Sequence, residues 1–228
     1  MIWNRKFLYP KSTRSVINGS RHYSVNQENL PSVTSILKAT ETSEQKAKLA
    51  SWREKVGYEQ AQITTREAAN RGSALHLYLE SFLLGKLNMD LLGDNTREKM
   101  MADQIIENGL RNKLSEIWGC EATLYYPGKY AGAADVIGIY ENKETIIDFK
   151  QSNKPKKDEW ISQYYLQGAA YCAAHNKVYG SKINQVVILM CTKDNIFQRF
   201  VIEGERLTNY QNQFLEKVEQ FYSKRLAN

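Results

Sequence analysis

Gly132-Ala-Ala-Asp135-Val-Ile-Gly-Ile-Tyr140, the breaker Glu141-Asn142, and Thr145-Ile-Ile-Asp148-Phe-Lys150 form the stretch on which the fold turns. β-Branched and aromatic residues on both sides of a two-residue breaker predict a hairpin. If Tyr140 faces Lys143 across the turn, Ile139 meets Glu144, Ile137 meets Ile146, and Asp135 meets Asp148, with Cβ atoms about 5 Å apart. Two carboxylates facing each other in an apolar, half-buried hairpin are unfavourable unless something compensates them. A divalent cation does so, because Mg²⁺ takes carboxylate oxygens and keeps waters that can act as nucleophiles. Lys150 lies two residues from Asp148 and shares its face, while Phe149 turns into the core and leaves its carbonyl free to complete a coordination shell. An ammonium there would ease deprotonation of an attacking water and offset charge building on a phosphoryl centre. The spacing alone also fits a surface acid pair bridged by Lys150, and a one-residue shift of register would put the acids on opposite faces.

Working outward, strands are expected at 121–126, 133–140 and 145–150, then a helix over 160–176, strands at 183–192 and 197–202, and a last helix marked by Leu207, Tyr210, Phe214, Val218 and Phe221. Upstream the pattern is helical. Pro31-Ser32 opens a helix to residue 40, and a second spans 43–60 with Trp52 as its core anchor. A third covers 65–84, residues 85–95 read as a loop, and a long helix takes 97–118 through Met101, Ile105, Leu110, Leu114 and Trp118. This order implies an α/β (α+β) fold, a mixed sheet flanked by helices. One domain over 1–228 is expected, with a hairpin and helical lobe in 1–118 and the catalytic sheet in 119–228.

The first 27 residues hold Arg5, Lys6, Lys11, Arg14 and Arg21 and no acid, as a mitochondrial transit peptide would. Val16-Ile17-Asn18-Gly19 and Arg21-His22-Tyr23 favour a hairpin instead, since Asn-Gly accepts the positive φ angles of a tight turn.

Of the 228 residues, 42% are hydrophobic and 25% charged, a balance that excludes a disordered or fibrous chain. No apolar run approaches the roughly 18 residues of a membrane span. The net charge of +6 suits a polyanion such as nucleic acid. Cys120, Cys172 and Cys191 lack CxxC spacing, so neither a disulfide framework nor a structural zinc is indicated, and a reducing compartment is the simpler reading. No GxxxxGK[ST] loop occurs, so no nucleotide cofactor is expected and any ATP-driven unwinding would come from a partner.

Further candidates surround the hairpin. His76 and Glu80 lie one helical turn apart and can share a cation or bond to each other. Arg71, before Gly72, can grip a phosphate or remain solvated. Lys154-Pro-Lys156-Lys157 leads into Trp160, Gln163, Tyr164, Tyr165, Gln167 and Tyr171. Such interleaving suits single-stranded nucleic acid, or a solvated loop with tyrosines packed on the sheet. Gln167 and Tyr171, one turn apart, can both face the acids.

Taken in order, Arg71-Gly72 with His76, Glu121, Gly132-Ala-Ala-Asp135, Ile147-Asp148-Phe149-Lys150 and Gln167-Gly-Ala-Ala-Tyr171 resemble the PD-(D/E)XK nuclease superfamily in its RecB-like exonuclease branch. Pro31-Ser-Val-Thr34 further resembles the mitochondrial genome maintenance exonucleases and their bacteriophage relatives. The resemblance implies a restriction-endonuclease-like sheet with a helical arch. It implies a Mg²⁺- or Mn²⁺-dependent exonuclease on single-stranded DNA with a free end. It makes His76, Asp135, Asp148 and the Phe149 carbonyl metal ligands, Lys150 the catalytic lysine, and Arg71, Glu80, Glu121, Lys154, Gln167 and Tyr171 supports of the site or the DNA. The family's proline before the first acid is Ala134 here, and three scattered cysteines cannot hold the iron-sulfur cluster of some relatives. A phage-encoded enzyme of the host bacterial cytoplasm is expected, with the mitochondrial matrix as the alternative and replication or recombination proteins as possible partners. A structure-specific or restriction-type endonuclease and a non-catalytic nucleic-acid-binding module are the rival readings.

Overall fold

In the computed structural model, which describes residues 1–86 and 96–226, the chain starts as a short edge strand, β1 (Ile2–Trp3). Strands β2 (Thr13–Ile17) and β3 (Ser20–Val25) form the hairpin expected from Asn18-Gly19, whose φ angles are 49° and 73°. A further strand, β4 (Glu28–Pro31), completes a small three-stranded sheet. Pro31 therefore closes a strand, and Ser32 is the N-cap of α1 (Val33–Ala39), accepting from the Ser35 N–H.

Helix α2 (Ser43–Val56) starts on a reciprocal cap between Thr42 and Gln45. It stops at Gly57, whose φ of 86° no helix contains, and α3 (Tyr58–Leu83) follows at once. The break expected between the helices over 43–60 and 65–84 thus falls earlier, at Gly57. Helix α2 buries none of its residues and Trp52 is only half-buried, which corrects the reading of Trp52 as a core anchor. Leu49, Trp52 and Val56 are too sparse among Glu, Lys, Gln and Arg to make a buried stripe. With the first half of α3, mostly exposed apart from Ala61, α2 forms a helical arm.

Helix α4 (Arg97–Ile105) continues through one π-helical turn, Ile106–Leu110, and ends there. Residues 114–118, expected to prolong it, open strand β5 (Leu114–Tyr126) instead. Asn112 takes a left-handed φ of 61° that breaks the helix. Spacings of four, as from Leu110 to Leu114 to Trp118, fit an ideal strand as well as a helix and so do not discriminate, and irregularities in β5 put Leu114 and Trp118 in opposite cores. Most of the loop expected over 85–95 lies outside the described residues.

The remaining elements are β6 (Tyr130–Tyr140), β7 (Lys143–Ser152), α5 (Ser162–Tyr179), β8 (Gln185–Thr192), β9 (Phe197–Glu203) and α6 (Gly204–Leu226). The large sheet runs β1-β5-β6-β7-β8-β9. It is antiparallel except where β1 joins β5 and where α5 carries the chain over to make β7 and β8 parallel. Alternation along the strands feeds two cores. Ile137, Ile146 and Ile188 pack toward α1, α5 and α6, while Val136, Ile147 and Leu189 meet Leu75 and Leu79 of α3 and Met101 and Ile105 of α4. Each such side chain, fully buried, contributes roughly 1.5–3 kcal/mol. Gly138 is required where β6 passes an irregularity of β5: a Cβ there would lie 2.0 Å from the Glu116 carbonyl oxygen. The result is the restriction-endonuclease-like architecture, a mixed sheet flanked by helices with a small N-terminal sheet.

Candidate active site

The β6–β7 ladder has the register read from the turn, Tyr140 with Lys143, Ile139 with Glu144 and Ile137 with Ile146, and its last pair is Val136 with Ile147. Glu141 and Asn142 make the turn with φ angles of 47° and 65°. Asp135 and Asp148 are the next residues, just past the end of the ladder. There the Phe149 N–H donates to Asp135 Oδ2 at 2.6 Å, so a side chain stands where a strand carbonyl would have been. The two acids thereby acquire different neighbours.

Asp135 turns to α3 and β5. His76 Nδ1 lies 3.5 Å from Asp135 Oδ1 and 3.8 Å from Glu121 Oε1. Ligand atoms of His76, Glu121 and Asp135 all fall within 4.8 Å of one another. Burial of Leu75 and Leu79 against the sheet fixes the rotation of α3 that brings His76 inward. Glu121 arrives by another device, a left-handed φ of 48° in mid-strand. For a residue with a Cβ this costs on the order of 1–3 kcal/mol and is held only by its surroundings. A main-chain carbonyl can only accept, so the 3.0 Å contact between His76 Nε2 and the Phe149 oxygen puts the ring proton on Nε2 and aims Nδ1 at the two carboxylates.

The electrostatics follow. Burial opposes charge on His76, but the Asp135 carboxylate, with hydrogen bonds to Asp135 and Glu121, outweighs it and raises the imidazolium to about 10. Asp135 is itself buried, yet His76 and Lys150 hold it below the usual carboxylate range. Asp148, 1% exposed, moves the other way: burial lifts it to about 6, with Asp135 adding and Lys150 opposing. Burial likewise works against the Lys150 ammonium, and Asp148 and Asp135 raise it nonetheless. His76 thus holds a proton that balances acids. Three close donors of imidazole and carboxylate type are compatible with a divalent cation of the Mg²⁺ or Mn²⁺ kind, which could take that proton's place.

On the α5 side, Lys150 is ion-paired with Asp148 Oδ2 and lies 5.1 Å from the centre of the Tyr164 ring. Gln167 Nε2 donates to Asp148 Oδ1 at 3.1 Å and to the Tyr171 hydroxyl at 3.4 Å. Asp148 and the Phe149 carbonyl, expected as ligands, are thus engaged with Lys150 and Gln167 and with His76, respectively. Tyr171 lies against Gly132, where a Cβ would come within 2.7 Å of the ring.

Arg71 is not solvated. Its Nε donates to Gln151 at 2.8 Å and its Nη2 to Asn153, which ties α3 to the end of β7. Glu80 is half-buried beside the cluster rather than in it, lifted by burial and by the charge of Glu121. Lys154 is exposed beyond β7, and among the described residues its ammonium pairs with none of the site groups. Glu121, expected as a support, stands among the candidate ligands. No pattern in the sequence signals its left-handed backbone, whereas Tyr164 was visible as one of the aromatics after the basic loop.

No family model matches the chain. Among curated proteins it is similar to Mitochondrial genome maintenance exonuclease 1 of Xenopus tropicalis, 26% identical over 210 residues, and to that of Mus musculus, 28% identical over 211 residues. These alignments cover 86% and 88% of this chain but 58% and 61% of the relatives, so the chain spans about three fifths of their length. Their names overturn the placement in a bacterial cytoplasm, being those of mitochondrial proteins of a frog and a mouse. Among solved structures, an alkaline exonuclease from Laribacter hongkongensis aligns over 86% of this chain and 92% of its own, at 16% identity and a TM-score of 0.39, a likeness too distant to carry weight. The ordered PD-(D/E)XK-like motifs, the sheet that bears them and the curated relatives agree, and the chain resembles the mitochondrial genome maintenance exonucleases.

Proposed function

We propose that this protein is a metal-dependent deoxyribonuclease that hydrolyses single-stranded DNA from a free end, and that it works in mitochondria. The observation that carries the reading is the Lys150 ammonium, held between Asp148 and Tyr164 beside the partly buried His76, Glu121 and Asp135 donors. A divalent cation bound to those donors would supply a water of lowered pKa and positive charge against the scissile phosphate. The chain's own groups do the rest. The Phe149 carbonyl fixes the His76 tautomer, and the Phe149 N–H fixes Asp135. Gln167 locks Asp148, which keeps Lys150 protonated and aimed, so that its charge is in place before phosphate charge develops. Tyr171, seated on Gly132, holds Gln167 in turn.

The preference for a free end rests on the relatives' name, exonuclease, and that for a single strand on the motif resemblance and on the helical arm formed with the first half of α3. The test is digestion of end-labelled linear single-stranded DNA in Mg²⁺ or Mn²⁺, comparing wild type with Asp135→Asn and Lys150→Ala. We expect progressive shortening by wild type, no shortening by the variants, and intact circular single strands. Undiminished digestion by folded Lys150→Ala would remove the assignment. Cleavage of circles would make the protein an endonuclease, and binding without cleavage in any divalent metal a binding module.

A further inference from the structure

Between β1 and β2 the chain runs beside β5 as a strap, bonded to that strand near both of its ends. The Asn4 N–H donates to the Ile117 carbonyl at 2.9 Å and its side chain to Glu116 at 3.0 Å; Ser12 Oγ meets Thr123 Oγ1 at 2.8 Å. Phe7 and Tyr9 between these bonds pack on Trp118 and His175, and strap and β5 together line a groove of about 590 Å³. Its lining includes Trp3, Arg5, Leu8, Lys11 and Trp118, and it reaches Glu121, one of the three clustered donors. The groove therefore shares one residue, Glu121, with the candidate metal site.

Its chemistry is specific. Arg5 and Lys11 are exposed, and neither has an ion pair among the described residues, whereas Lys6 beside them is taken up by Glu144 and by the Trp118 ring. Trp3 is 39% exposed, yet its Nε1–H donates to the Leu83 carbonyl at 2.9 Å, which holds the ring still. A fixed aromatic ring flanked by free cations is what an unpaired nucleotide strand needs, bases on the ring and phosphates on the charges. The volume lies within the roughly 300–1,000 Å³ of ligand clefts.

We propose that this groove is a second binding site for the DNA strand, taking single-stranded nucleotides on the β5 side of the cluster, with phosphates at Arg5 and Lys11 and a base on Trp3. The inference rests on the nuclease reading above and extends it by a track. Glu121 at the inner end repels a phosphate unless a cation intervenes, so occupancy of the track rises with divalent metal.

The test is fluorescence anisotropy of dye-labelled oligo(dT) on the full chain carrying Lys150→Ala, which keeps the strand whole, across a salt series in Mg²⁺. Adding Arg5→Ala and Lys11→Ala should raise Kd five- to tenfold and flatten the slope of log K against log salt by about 1.4, at about 0.7 per phosphate contact on a single strand. Trp3→Ala should raise Kd roughly tenfold and Trp3→Phe less. Removing Trp3 could also loosen β1, so the salt slope, which needs changes only in exposed side chains, decides. An unchanged Kd and slope in the double variant, with wild type still cleaving linear DNA, would overturn the groove alone. A wild type that neither binds nor cleaves DNA would overturn the groove and the nuclease reading together.

Discussion

His76 donates its Nε2 proton to the carbonyl of Phe149, at 3.0 Å, and that one bond turns Nδ1 toward Asp135 and Glu121. A backbone carbonyl at the end of β7 thus sets the tautomer of a side chain on α3. Fixing the second nitrogen in this way orients an imidazole ligand. His76→Ala and Glu121→Gln are each expected to weaken Mn²⁺ binding by more than the roughly 10- to 100-fold that loss of an outer-shell partner costs. Isothermal titration with Mn²⁺ measures it. Full affinity in Glu121→Gln would return Glu121 to a supporting role.

Lys150 and Asp148 are an ion pair with side chains 17% and 1% exposed. Removing one partner from such a pair leaves a buried charge and costs about 3–5 kcal/mol, while an apolar replacement of both can be neutral. Lys150→Met should therefore lower the urea midpoint and abolish cleavage. The double variant Lys150→Met, Asp148→Leu should recover much of the stability and none of the activity. A double variant no more stable than Lys150→Met would mean that the pair's charges are not what holds this region.

These two relationships also mark how far the sequence could be read. The register of β6 on β7 was legible because a two-residue turn leaves one way to align the apolar faces, and it brought Asp135, Asp148 and Lys150 to one place. Helical spacing singled out His76 with Glu80 and Gln167 with Tyr171, and the resemblance tied them to the acids, which spacing alone could not do for side chains on separate helices. Illegible were features set by tertiary structure. The φ of 48° that turns Glu121 inward has no glycine to announce it. Leu110, Leu114 and Trp118 suited a helix until Asn112 broke it, and Trp52 had helical spacing but no layer to be buried under.

Gly132 tests the link from backbone to site. A Cβ at this position would come within 2.7 Å of the Tyr171 ring and 2.8 Å of its hydroxyl. Tyr171 is buried and cannot swing clear without moving the hydroxyl that Gln167 meets, and Gln167 steadies Asp148. Gly132→Ala is expected to cost about 1–3 kcal/mol by overpacking and to lower kcat by more than that loss of stability accounts for. Combining it with Tyr171→Phe, which shortens the ring at its crowded end, should restore part of the stability and leave kcat low. Urea unfolding and single-turnover cleavage separate the two effects, and a kcat equal to wild type would break the chain of contacts proposed here.

Farther along α5, His175 governs how the N-terminal strap responds to pH. Its ring is fully buried among Phe7, Tyr9 and Tyr179, with Nε2 3.1 Å from the Tyr9 hydroxyl and Nδ1 2.6 Å from Ser181 Oγ. Burial, with Lys6 nearby, lowers it from 6.5 to about 4. The folded state therefore favours the neutral ring, and the unfolded chain binds the extra proton between those two values. Stability from this group is complete above pH 6.5, falls as the pH drops toward 4, and loses on the order of 3 kcal/mol in all. In His175→Gln that part of the slope should vanish, whatever the variant's absolute stability. Urea midpoints of both proteins across pH 4 to 7.5 check it, and parallel profiles would show that His175 titrates alike folded and unfolded. The strap carries Arg5 and Lys11, so acid that protonates His175 should also weaken DNA binding in wild type more than in His175→Gln.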